Sequence, residues 1–178
     1  RTARDRRPAP IVHLATHGEF QPGSLGNSFI QFWGDERLTL DRLRELQFNS
    51  PQVELLILSA CRTAVGDPNA ELGFAGVYVH AGVKSTLASV WYVADAGTLA
   101  LMDQFYEALG TAATKSQSLR QAQLALLRGD VRLEAGALRT RGKRAINLPA
   151  ASLELLESNT DLSHPYYWAG FTLIGSPW

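Results

Sequence analysis

"VELLILSACRTAVGD", residues 53–67, holds the only cysteine of the chain. Its first eight residues form a near-continuous apolar run of strand length, and then the chain turns polar. Such a run fits a strand buried on both faces of a parallel sheet. Cys61 stands at the end of the run. A structural cysteine could sit anywhere in it, whereas a nucleophile needs the end, where a strand delivers a side chain to the rim of a sheet.

Working outward, a second short apolar run, "IVHLAT" (11–16), is followed by "HGEF" and reads as another strand. It ends at His17. Strands that are parallel in one sheet both end at its carboxyl edge, where open α/β sheets place their sites. His17 and Cys61 are 44 residues apart, enough for a loop and a crossover helix. That crossover makes neighbouring parallel strands possible. A cysteine beside an imidazole is a thiolate nucleophile with an acid/base group at hand. Gly18 lets the backbone approach a substrate carbonyl and offer an amide to an oxyanion, and the amide of Cys61 supplies a second donor. The bland alternative is a small buried cysteine and a structural histidine. The matched strand ends weigh against it.

The rest of the chain continues the α/β pattern. "RTARDRRPAP" (1–10) is a basic, proline-bearing linker or arm. Residues 18–37 read as a loop with a short strand at "SFIQFW". "LTLDRLRELQF" (38–48) has leucines at 38, 40, 43 and 46 and reads as an amphipathic helix capped by Thr39 or Asp41. "ELGFAGVYVHAG" (71–82) is a helix closed by Gly82, and "KSTLASVWYV" (84–93) is a β-branched strand. "DAGTLALMDQFYEAL" (95–109) and "SQSLRQAQLALLRG" (116–129) are helices. Residues 130–163 are weakly patterned, basic around "RTRGKR" (139–144), and read as a surface insertion. "YYWAGFTLIG" (166–175) is a closing strand. The order argues for an α/β sandwich with a mainly parallel sheet.

Composition bounds the function. The 178 residues suffice for one domain with a real core. Apolar residues make up 46% and charged residues 19%, as in ordinary globular chains. A net charge of zero gives no support for a nucleic-acid partner. One cysteine cannot form an internal disulfide, which favours a reducing, cytoplasmic compartment. The longest apolar stretch, 72–106, is broken by Lys84, Asp95 and Asp103, so it does not read as a membrane span. On a strand His13 and His17 are about 13 Å apart, too far to share one ion. No paired ligand cluster, P-loop or dinucleotide fingerprint occurs, so neither a metal nor a cofactor is expected. His80 and His164 receive no role.

"HLATHGEF", "LLILSACRTAVGD", "FAGVYVHAGVKSTLASVWYVADAGTLALMDQFY" and "HPYYWAGFTLIG" resemble the CHAT domain, a caspase-like cysteine peptidase domain often attached to TPR repeats in bacteria. The resemblance runs from residue 11 to the end, with several motifs in order and spacing. It implies a three-layer caspase-like sandwich whose first strands are missing from this chain, which starts at Arg1 without a methionine. It implies a cysteine endopeptidase acting on proteins or peptides, with Cys61 as nucleophile, His17 as base and acid, and Gly18 with Cys61 as the oxyanion hole. It further implies that Ser59, Trp91, Val93 and the segment after them line the specificity pocket, and that TPR repeats or another regulatory domain lie upstream.

In that family the strand ending in tryptophan is commonly followed by paired acids. Here the segment is "WYVADAG", with Ala94 at the first acidic position and Asp95 at the second. By the resemblance to separase-type peptidases, Asp95 sits in the pocket for the residue before the scissile bond. Cleavage after Arg or Lys is the resulting expectation, with "RTRGKR" as a self-cleavage site. Asp95 also reads as a helix N-cap, and Asp67 and Glu19 are competing acids. The other function class is a non-catalytic interaction module that uses the same fold as a scaffold or regulator.

Overall fold

Leu55–Leu58 (β5) lies in the middle of a sheet, and all four of its residues are buried. The sheet pairs it on one side with Ile11–Leu14 (β1) and on the other with Ser85–Ser89 (β6), both parallel. Phe171–Gly175 (β10) closes the far edge antiparallel to β6. The order β1-β5-β6-β10 gives the mainly parallel sheet that the apolar runs predict, in a mixed α/β fold compatible with a caspase-like sandwich. These elements come from a computed structural model that describes residues 11–19, 21, 24, 26–43, 45–59, 70–140, 145–148 and 161–178. The chain divides into two compact units: Arg1–Tyr92 with Phe171–Pro177, and Val93–Gly170 with Trp178.

In the first unit, strand alternation sorts the core. Val12 and Leu14 of β1, Leu56 and Leu58 of β5, Ala88 of β6 and Ile174 of β10 share one face. Against it packs the helix Ala70–His80 (α2), through Ala75, Val77 and Tyr78. Gly82 ends this helix with φ +102, a conformation that a side chain resists.

Between β1 and β5 the chain does more than loop. Gly18–Glu19 (β2), Phe29–Gln31 (β3) and Arg37–Thr39 (β4) form a small antiparallel sheet in that order. The helix expected over 38–48 shrinks to one turn, Leu40–Leu43 (α1). Leucines at 38 and 40 fit strand alternation as well as helical spacing, and β4 pairing with β3 takes Leu38 and Thr39. The Leu40 N–H donates to Ser28 O at 2.9 Å, tying the turn to the strand before it. Leu40 and Leu43 are both completely buried, so the core is satisfied by a single turn.

The second unit holds Asp95–Leu109 (α3) and Lys115–Leu127 (α4), close to the expected spans. Thr114 caps α4 by accepting the Gln117 N–H at 3.1 Å. Residues 130–163, expected as an unpatterned insertion, contain a second antiparallel sheet: Val131–Glu134 (β7), Ala137–Thr140 (β8) and Ile146–Asn147 (β9). Its two-residue turn, Ala135–Gly136, takes φ +50 and +75. A primed turn needs this, although alanine seldom supplies it. The closing strand begins only at Phe171, because Pro165–Tyr167 forms a 3-10 turn.

Two buried hydroxyls in the first unit, Tyr78 Oη and Thr86 Oγ1, have no hydrogen-bond partner among the described residues. Burial also pushes the Tyr78 phenol well above its ordinary range. An unpaired buried hydroxyl costs about 1–3 kcal/mol in desolvation. Thr86→Val keeps the shape and the β-branching while removing that cost. It is expected to stabilise the protein by about 1 kcal/mol, read as a rise of roughly 2–4 °C in thermal midpoint. A lower midpoint for Thr86→Val would show that the hydroxyl is in fact satisfied.

Candidate active site

The register of the two site-bearing strands pairs Ile11 with Leu55 and Leu14 with Leu58, an offset of 44 residues. His17 and Cys61 are separated by the same 44 residues. Each therefore follows a matched pair of strand residues by three. The Ser59 N–H donates to Leu14 O at 3.2 Å, which carries the ladder one step past β5. Cys61 itself, with residues 60–69, lies outside the described residues, and so does Asp67.

The strand expected to end in His17 ends instead at Leu14. At Ala15 and Thr16 the chain leaves the main sheet for the small one. Two bonds to Gln31 hold the transfer: Thr16 Oγ1 donates to Gln31 O at 2.6 Å, and the Gln31 N–H donates to His17 O at 2.8 Å. His17 is thus fixed by its backbone on a separate scaffold, with its side chain exposed.

Gly18 follows directly. In an antiparallel pair, hydrogen-bonded and non-hydrogen-bonded residue pairs alternate. Since Gln31 bonds His17, the next pair, Gly18 with Ile30, is the non-bonded kind. The Gly18 N–H is left out of the ladder and points away from β3. β2 is an edge strand, so that side of Gly18 has no strand of the small sheet beside it.

Ser59 is half-buried, and its Oγ lies 2.9 Å from His13 Nε2. His13 is opposite Ile57 in the register, so Ser59 sits one diagonal step onward on the same face of the sheet. Part of the His13 ring stays open to solvent. The packed part is desolvated, which lowers its pKa below the ordinary histidine value and favours the neutral ring. A neutral imidazole bonds a serine hydroxyl in either tautomer, because the hydroxyl both donates and accepts.

The remaining residues divide between the units. Trp91 is half-buried in the first. Val93, 1% exposed, and Asp95 belong to the second. Asp95 is exposed and is the first residue of α3. The N-cap position is Ala94, which makes no side-chain cap, so the N-cap reading of Asp95 does not hold. As a first-turn acid it still complements the helix dipole. Glu19 is exposed and accepts from Gln21 Nε2 at 3.2 Å. His164 caps the 3-10 turn by accepting the Tyr166 N–H at 3.3 Å.

The structure therefore brings His13 to Ser59 and Gln31 to His17. The His13–Ser59 pair was readable in principle from strand alternation at a 44-residue offset. Gln31 carried no signal, since it holds Thr16 and His17 through its backbone.

A family model for the CHAT domain matches residues 1–176, essentially the whole chain. The chain belongs to the CHAT domain family. This is a family related to the caspase-like cysteine peptidases. No curated protein matches the chain. No described helix of this CHAT domain is long and apolar enough to cross a membrane.

The lowered pKa of His13 has a sign that can be tested. The unfolded chain, with an ordinary value near 6.5, binds more protons than the folded one as pH falls through that value. Stability from this group is therefore complete above about pH 6.5 and is lost as pH drops. Thermal midpoints of wild type are expected to fall between pH 7.5 and 5.5, and His13→Gln to fall less. Parallel curves for the two proteins would remove this role from His13.

Proposed function

We propose that this CHAT domain is a cysteine endopeptidase that hydrolyses peptide bonds of protein or peptide substrates. The observation that carries the reading is the 44-residue offset shared by the β1–β5 register and by the pair His17 and Cys61. Adjacent strands run about 4.8 Å apart, so the segments that leave β1 toward His17 and β5 toward Cys61 start from neighbouring strand ends.

In this reading the Cys61 thiol gives its proton to His17, and the thiolate attacks the substrate carbonyl carbon. The oxyanion takes hydrogen bonds from the Gly18 N–H, which the ladder leaves unused, and from the Cys61 N–H. His17 then gives the proton to the leaving amine, the C–N bond breaks, and a thioester remains. Water, deprotonated by His17, attacks the thioester; the acid product leaves and the thiol is restored. A lone thiol suits a reducing, cytoplasmic setting, and an upstream TPR or other regulatory domain fits the family.

Ser59 and Trp91, half-buried residues of the first unit, are assigned to recognition of the side chain before the cut, whereas Val93 is too buried to touch it. Asp95 favours Arg or Lys there. Because its carboxylate is exposed, the attraction is screened, and the preference it confers is about five-fold or less.

Reaction with a peptide bearing a carbonyl electrophile tests the chemistry. Covalent attachment is expected at Cys61 in wild type, and none in Cys61→Ala. His17→Ala is expected to slow attachment about 100-fold or more. Equal rates in wild type and His17→Ala would break the dyad, and no attachment in wild type would favour a scaffold role.

The pocket assignment has its own test: a peptide library varied only before the cut, run on wild type and Asp95→Asn. A basic preference that weakens in Asp95→Asn is expected. An unchanged preference would remove Asp95 from this role.

A further inference from the structure

We propose that His13 is a positioning residue for recognition of the substrate side chain before the scissile bond, acting through Ser59. The inference rests on the peptidase reading for the role of the pocket. The pairing itself rests on geometry: His13 Nε2 and Ser59 Oγ are 2.9 Å apart, across the two strands that lead toward His17 and Cys61.

A serine hydroxyl at a strand end has three rotamers and little to choose between them. The Ser59 backbone is fixed by its N–H bond to Leu14 O, but that bond leaves the side chain free to turn. The His13 ring removes the freedom. It stands on the same face one diagonal step back and holds the hydroxyl at 2.9 Å. Lowered basicity keeps the ring neutral, so it bonds the hydroxyl without bringing a cation beside the pocket. Of the hydroxyl's one proton and two lone pairs, one is engaged by His13, which fixes the direction of the others. Ser59 stands two residues before Cys61 in sequence, so a fixed hydroxyl there bears on the substrate residue next to the reacting carbonyl. His13 touches neither substrate nor reacting atoms in this scheme.

The test uses two peptide electrophiles that differ only at the residue next to the electrophile, one with arginine and one with norleucine. The readout is the ratio of their rates at Cys61. Iodoacetamide, which needs no pocket, reports Cys61 reactivity alone, and the chain has no other cysteine to confuse it. His13→Leu is expected to shrink the ratio about three- to ten-fold, the range of one neutral hydrogen bond, while the iodoacetamide rate holds. His13→Gln, which keeps a side-chain amide, is expected to restore part of the ratio. Ser59→Ala removes a single oxygen and stays folded. It is expected to match His13→Leu, with no further loss in the double variant, because partners in one bond are not additive.

A wild-type ratio in His13→Leu and Ser59→Ala would overturn the inference, and so would losses that multiply in the double variant. Both results leave the peptidase reading standing. Iodoacetamide reaction without any peptide reaction in wild type would instead overturn the peptidase reading, and this inference with it.

Discussion

The parallel pairing of β1 with β5 constrains both the core and the site. A one-residue slip would turn Val12 and Leu14 out of the face that packs on α2 and turn His13 into it. Val12 and Leu14 are half-buried, so each moved to solvent costs a part of the roughly 1.5–3 kcal/mol of full burial, and a buried histidine without a partner adds its own penalty. Core packing therefore holds the offset at 44, and that offset aligns His13 with Ser59. Hydrophobic burial does the work of placing the polar groups.

A second constraint acts at right angles to the first. His17 leaves the main sheet, and the small sheet β2-β3-β4 receives it through backbone bonds to Gln31. That sheet is anchored by Ile30, 1% exposed, in the same core as Leu56 and Leu58. The result is an exposed imidazole on a backbone pinned from two directions. The alternation of β2 with β3 frees the Gly18 N–H as a consequence of the same bond that fixes His17.

Much of this was legible in the residues. The continuous apolar run "LLIL" marked a central parallel strand, and α3 and α4 followed their apolar spacing. Elements with ambiguous periodicity were not legible. Leu38, Leu40 and Leu43 satisfy a strand followed by one turn as readily as a helix, and only pairing with Phe29–Gln31 decides between them. The β7–β8 hairpin was hidden because its turn is Ala-Gly rather than Asn-Gly. In the site, the end of β1 was placed three residues too late, since nothing in "LATHG" announces a change of sheet. The role of His13 has no local signal, because its partner Ser59 is 46 residues away.

The central proposal is that Cys61 and His17 form a dyad whose oxyanion is met by the Gly18 amide, which the small-sheet ladder leaves out. A crystal structure of the covalent adduct between Cys61 and a peptide electrophile tests it most directly. The account predicts a His17 ring nitrogen within hydrogen-bonding reach of Cys61 Sγ or of the leaving-group position. It also predicts the adduct oxygen about 2.7–3.2 Å from the Gly18 nitrogen. An adduct whose oxygen faces solvent, with His17 turned away from the sulfur, would contradict it.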